Sequence, residues 1–393
     1  MPGVSARAAS MQESAIRKLD LTVSQQQDVH FYRLNIGQPD IPTPGPMMEA
    51  IARFHPAVVA YGPASGTKAC RMAAAAYTAR WNPALGPEHV AITAGGSEAL
   101  LFAFVTVCDP GDEILVPEPY YTNYNGFATV AGARVVPIKT RIEDNFALPS
   151  NDVLDAHRTA RTKAIVLNNP CNPTGTVYDR ASLERVVRWA MSHDLYVIAD
   201  EVYRRIWFRQ EPPSALAIED AKDHVIAVDS LSKTWSACGA RLGWLVCRNA
   251  EVMEKVERLG QARLGPQPLA QDVAIAAFAL PDSYYEDLRL TWKHRVDALY
   301  ESLSALGVVR VHRPEGAFYL MAALPVDDSD RFARFLVTDF RDRGESLVVA
   351  PGGGFYADPA SGRDQIRLAA VLEVPKIRRA VEILGLALAA YHR

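Results

Sequence analysis

The sequence predicts an α/β protein: a large unit on a mainly parallel, seven-stranded sheet flanked by helices, with a smaller α+β unit beside it. Three observations lead there. Seven apolar runs of strand length recur: Val90–Thr93, Glu113–Val116, Arg134–Ile138, Ala164–Leu167, Leu195–Ala199, His224–Val228 and Leu242–Val246. Helical patterns separate several of them, among them Ser97–Val107 and Ala181–His193. Strands joined through helices pair in parallel and are covered on both faces, and such sheets gather ligands at the carboxyl ends of their strands. Beyond Pro281 the texture changes. A long helical stretch from Tyr284 to about Leu306 leads to short strands at Val308–His312 and Ala317–Met321. A glycine-rich loop, Pro351–Phe355, then precedes Gln365-Ile-Arg-Leu368.

Taken in order, the opening stretch to Gln27 is polar, with Ile16 and Leu19 as helical contacts, and residues 1–10 are expected to be disordered. Phe31-Tyr-Arg-Leu-Asn-Ile36 runs into a shaped loop from Gly37 to Pro46, whose four prolines and two glycines oppose regular structure. The expected division is a large unit over 47–285 and a small one from 11–46 with 286–393.

Composition narrows the function classes. The 393 residues are 49% hydrophobic and 22% charged, with a formal net charge of −3. That balance gives no electrostatic reason to expect nucleic acid or an anionic membrane as partner. Five scattered cysteines show neither a disulfide framework nor a metal-binding spacing. No run reaches the roughly 18 apolar residues of a membrane span, and no signal peptide is evident. A cytoplasmic protein is expected, without a metal.

Five short motifs converge on one chemistry. The first, Ser230-Leu-Ser-Lys233, follows a strand and leads to Arg241. Alone, such a lysine is a surface residue. Beside a cation and hydroxyl donors it has the makings of an amine nucleophile that forms an imine with an aldehyde cofactor. Arg241, Ser230 and Ser232 would then bind an anionic phosphate.

The second motif, Ala199-Asp200-Glu-Val-Tyr203, ends an apolar strand on a carboxylate, which is costly to bury without a partner. A helix cap or structural ion pair would satisfy it, and so would a pyridinium nitrogen, with Tyr203 on the ring's phenolic oxygen. Third, Asn168-Asn-Pro-Cys-Asn172-Pro-Thr-Gly175 is either plain turn punctuation or a strand-end loop in which the Asn172 amide meets cofactor and substrate. Fourth, Thr93-Ala-Gly-Gly-Ser-Glu98 reads as strand, glycine turn and helix. Its Gly96, Ser97 and Glu98 are candidates to face a phosphate, although the motif is neither a Walker loop nor a dinucleotide fingerprint. In the fifth, Pro117-Glu-Pro-Tyr-Tyr121, Tyr121 is a packing aromatic or a face for a flat ring.

In order and spacing, these motifs, with Arg241-Leu-Gly-Trp, resemble the class I/II, fold-type-I aminotransferases from about Glu13 to the C-terminus. The resemblance implies pyridoxal 5′-phosphate as cofactor, held as a Schiff base on Lys233, which also shuttles the proton. It implies Asp200 at the pyridine nitrogen, Tyr203 and Asn172 at the phenolic oxygen, and Ser230, Ser232, Arg241 and Gly96–Glu98 as the phosphate cup. Arg367, in Gln-Ile-Arg-Leu, resembles the clamp on the substrate α-carboxylate; unaided it reads as an ordinary strand arginine. Gly37 resembles the loop glycine that approaches substrate. Tyr61 resembles the tyrosine that reaches the neighbouring subunit's phosphate, implying a homodimer with shared sites.

The implied activity is ping-pong transfer of an amino group from an L-amino acid to a 2-oxo acid. A lyase, cyclase or oxidase on the same fold is the alternative, and a non-enzymatic regulator a remote one. One departure bears on specificity: some aspartate-specific relatives have lysine where this chain has Ser97. Arg263 lies in the segment where others carry a distal-carboxylate arginine.

Overall fold

The computed structural model describes residues 2–12 and 19–391, so Ile16 lies outside the described residues. All seven runs become strands of one sheet: Val90–Thr93 (β1), Glu113–Glu118 (β2), Arg134–Lys139 (β3), Thr162–Asn168 (β4), Tyr196–Asp200 (β5), Val225–Ser230 (β6) and Gly243–Cys247 (β7). Their spatial order is β1-β7-β6-β5-β4-β2-β3. β7 alone runs opposite to the other six strands.

Alternation along the strands builds two apolar layers, because successive side chains leave opposite faces. Ala164, Val166, Ile198, Ile226 and Val228 pack with Phe104 of the helix Gly96–Val107. Ile165, Leu167, Val197, Ala199 and Ala227 join the layer of Val186 and Trp189 from the helix Arg180–Ser192. Both faces are covered, so the strands read as near-continuous apolar runs.

A third core joins the two ends of the chain. Tyr32 and Leu34 pack with Trp292, Phe318, Leu320 and Leu368. The strand His30–Arg33 pairs in parallel with Glu345–Val348. Nearby, Ala350–Pro351, Gln365–Ala369, Tyr319–Ala323 and Arg310–Val311 form an antiparallel sheet in that order.

Two local features differ from the sequence reading. The Gly37–Pro46 loop yields to a helix, Gly45–Arg53, with Pro46 in its first turn. Proline fits there because its missing N–H would have had no helical partner. Within residues 1–10, Ala6–Ala9 make one helical turn capped by Ser5, with none of its side chains buried. The Pro351–Phe355 loop contains a single 3-10 turn, Gly352–Phe355.

Register sets up the site. Asn168 stands opposite Asp200, and Asp200 opposite Val228, so three strand ends finish side by side. Gly243 lies between Thr93 and Ser230. A Cβ on Gly243 would come within 2.5 Å of the Gly95 carbonyl carbon, so only glycine allows the turn after β1 to close beside Ser230.

Candidate active site

A cavity of about 500 Å³ opens at the carboxyl ends of β4, β5 and β6. That is a volume suited to a small ligand. Twelve of the residues singled out from sequence line it: Gly37, Gly96, Ser97, Tyr121, Asn172, Asp200, Tyr203, Ser230, Ser232, Lys233, Arg241 and Arg367.

Asp200 ends β5 and is 3% exposed. Its Oδ2 accepts the Tyr124 hydroxyl at 2.7 Å and its Oδ1 accepts the Val202 N–H at 3.4 Å. Burial raises its pKa from 3.8 to about 6, against the pull of Tyr124, Val202 and Lys233. A carboxylate held this way gains from a cation placed beside it.

Lys233 lies in the short helical turn Leu231–Thr234 after β6. Its Nζ donates to the Gly37 carbonyl at 2.9 Å and sits 5.9 Å from the Tyr203 ring centroid. Ser230 caps that turn, its Oγ accepting the Ser232 N–H at 3.3 Å. Arg241 sits in a left-handed conformation just before β7, its Nη1 donating to the Cys238 carbonyl at 3.0 Å. With Gly96 and Ser97 at a helix start, these groups form a cluster of N–H and hydroxyl donors and one guanidinium, the donor set of an oxyanion site.

Arg367 also lines the cavity and is 1% exposed. Its Nη1 donates to Asn172 Oδ1 at 3.1 Å, and its Nη2 to the Asn35 carbonyl. Its Nε has no hydrogen-bond partner among the described residues. Burial lowers its pKa from the ordinary arginine value, which marks a cation short of compensating charge. Asn172 is itself fixed, since its backbone N–H donates to Asn168 Oδ1 at 2.6 Å. The Tyr203 hydroxyl lies 3.0 Å from that of Tyr319, and its pKa is held well above the ordinary value, by burial and then by Tyr319. Burial likewise pushes Tyr121, whose hydroxyl accepts from Asn123 at 2.9 Å, up to about 12.

Two of the singled-out residues stand elsewhere. The Glu98 carboxylate turns back to accept the Ala94 N–H at 2.7 Å and forms an ion pair with Arg263. Tyr61 is 85% exposed on the outer surface. Arg263 also donates to the Ala64 carbonyl at 2.8 Å, so it ties the Tyr61–Gly66 segment to the helix start at Gly96. Sequence reasoning missed Tyr319, Tyr124 and Asn168. Asn168 opens a quoted motif, where turn formation accounts for it, and Tyr124 lies three residues beyond Tyr121, where aromatic packing accounts for it. Tyr319 belongs to a recognised strand, but nothing in its spacing tells a site residue from core.

Comparison with known proteins gives the class. The family described as aminotransferase class I and II matches residues 29–384. The aspartate/prephenate aminotransferase of Thermus thermophilus is 32% identical over 392 residues, covering 97% of this chain and 98% of that protein. The arginine–pyruvate transaminase of Pseudomonas aeruginosa is 32% identical over 364 residues, covering 92% and 91%. Among solved structures, the Thermus thermophilus aspartate aminotransferase with maleate superposes with a TM-score of 0.89 at 30% identity, over 98% of this chain and 100% of that one. An alanine aminotransferase from Pyrococcus furiosus gives 0.90 at 30% identity, over 99% and 100%. The chain belongs to the class I and II aminotransferases. It is a transaminase, moving an amino group between an amino acid and an oxo acid.

Proposed function

We propose that this transaminase binds pyridoxal 5′-phosphate through Lys233 and works by a ping-pong cycle from an L-amino acid to a 2-oxo acid. One observation carries the reading: a lysine amine, a buried carboxylate and a buried guanidinium open into the same cavity, beside a cluster of anion-binding donors. That set matches the cofactor's functional groups. Gly96, Ser97, Ser230, Ser232 and Arg241 would hold the phosphate, Asp200 the ring nitrogen, and Asn172 and Tyr203 the phenolic oxygen, with Tyr121 against the ring. Bound there, the cofactor supplies an aldehyde for the amino group and a cationic ring that accepts the electrons of the breaking Cα–H bond.

The protein's own groups do the rest. Arg367 receives the substrate carboxylate and thereby fixes Cα; its fork of donors suits that planar anion. The Lys233 amine, held over the cavity by Gly37, takes the proton from Cα and returns one on the other side of the transfer. Asp200 stabilises positive charge deep in the cavity, where burial has made its own ionisation unfavourable.

The same reading includes a homodimer with shared sites in the cytoplasm, and a large unit over 47–285 beside a small one from 11–46 with 286–393. Supporting the dimer, Tyr61 lies in a strongly exposed run with Val58 (74%) and Val59 (67%). Met48, Ile51, Met72 and Leu264 are also exposed. Apolar surface of this kind marks association sites. Among the described residues no helix is long and apolar enough to cross a membrane, and all five cysteines are free.

The test is a donor screen. Purified protein is given single amino acids with 2-oxoglutarate or pyruvate, and the new amino acid and oxo acid are quantified together. Equimolar formation of both is expected for at least one pair. Consumption of donor with release of ammonia, or elimination without any new amino acid, would place the protein among the lyases or oxidases.

A further inference from the structure

We propose that Tyr319 is a positioning residue for amino transfer: its ring holds the Arg367 guanidinium for a substrate carboxylate, and its hydroxyl orients that of Tyr203. The inference rests on the reading just given.

Tyr319 belongs to a strand paired antiparallel with the strand of Arg367. Tyr319 stands opposite Ala369, and Met321 opposite Arg367. Residues two apart share a face, which makes Tyr319 and Arg367 diagonal neighbours. The Arg367 guanidinium carbon lies 4.5 Å from the Tyr319 ring centroid and 5.0 Å from that of Phe355. Two aromatic faces restrain a guanidinium without occupying its N–H edge. Arg367 needs such restraint. Its hydrogen bonds go to the neutral oxygens of Asn172 and Asn35, and among the described residues no carboxylate forms an ion pair with it.

The hydroxyl works at the other end. It lies 3.0 Å from Tyr203 Oη, and either oxygen can donate. When Tyr319 donates, the Tyr203 proton is left for an oxygen in the cavity, and linked hydroxyls strengthen each other's bonds. The same Tyr319 oxygen presses on Gly37, where an added Cβ would lie only 1.7 Å away. Gly37 in turn offers the carbonyl that holds Lys233. One side chain therefore touches the carboxylate clamp, the hydroxyl beside the ring and the backbone that sets the lysine.

Two variants separate these roles, both measured as holoenzyme. Tyr319→Phe keeps the ring and loses the hydroxyl. The pH midpoint of the cofactor's absorbance change is expected to rise by about 0.3 unit or more, because weaker donation from Tyr203 leaves the phenolic oxygen more basic. Tyr319→Leu removes the ring. The wild-type preference in kcat/KM for the best donor from the screen over its primary amide is expected to fall about 10-fold. Tyr319→Phe should retain that preference, and a general packing defect would lower both substrates alike. An unmoved midpoint in Tyr319→Phe overturns the role of the hydroxyl; an unmoved acid-to-amide ratio in Tyr319→Leu overturns that of the ring. Should Tyr319→Leu not fold, Tyr319→Met reads the same ratio. Wild-type protein that binds no cofactor at Lys233 would instead overturn the reading beneath both.

Discussion

The cavity has two walls of different origin. One is the row of strand ends bearing Asn172, Asp200, Ser230 and Lys233, all within a few residues of the last sheet pairings. A second wall comes from Gly37, Tyr319 and Arg367, which the antiparallel sheet and the pairing of the two chain ends bring into contact with the first. In the proposed function, residues on the first wall serve the cofactor's chemistry and those on the second fix where a substrate sits. Changes on the first should therefore remove catalysis, and changes on the second should weaken selection and affinity.

Lys233→Ala gives the largest effect, a loss of about 10⁴-fold or more in turnover, since both the attachment point and the proton carrier disappear. Single-turnover absorbance checks it, and substantial residual transfer would break the assignment of the first wall. Asp200→Asn should lower kcat by about 10³-fold. The same change should stabilise the apoprotein. Because the folded pKa is raised from 3.8 to about 6, the wild type binds the proton more tightly when folded than when unfolded. Stability from that proton is present below about pH 4 and is lost as pH rises through about 6. The amide variant has no proton to lose, so denaturant unfolding should show a gain over wild type growing to about 3 kcal/mol above pH 6 and vanishing below pH 4.

On the second wall, Arg367→Lys keeps the charge but loses the fork. A fall of about 10- to 100-fold in kcat/KM, carried mainly by KM, is expected from steady-state kinetics with any accepted donor. A fall confined to kcat would move Arg367 to the first wall. The smallest effect belongs to Arg263→Met. Its partner Glu98 and its bond to Ala64 make Arg263 a brace beneath the Gly95–Gly96 turn, so cofactor retention on dialysis should weaken by about 3- to 10-fold. A selective loss of dicarboxylic donors would show that Arg263 reads a distal carboxylate instead.

The walls also differ in how far the sequence reveals them. Strand-end residues announce themselves, because an apolar run that stops at Asp200 or at Ser230-Leu-Ser-Lys233 leaves polar groups at a place where ligands gather. The second wall depends on pairings between distant segments. Arg367 sits in an apolar strand, and only resemblance marked it as a clamp. Tyr319 meets Tyr203 across 116 positions, and nothing local to Ala317–Met321 records that contact. The outward turn of Glu98 was hidden for a similar reason: its partner, Arg263, lies 165 residues further on. Both contacts depend on long-range side-chain geometry, whereas all seven sheet strands were legible from local pattern.

The most direct test of the account is to reduce pyridoxal-phosphate-loaded protein with borohydride, digest it and map the modified lysine by mass spectrometry. The account predicts a single phosphopyridoxyl group on the peptide carrying Lys233. An adduct on another lysine, or none at all, would contradict it.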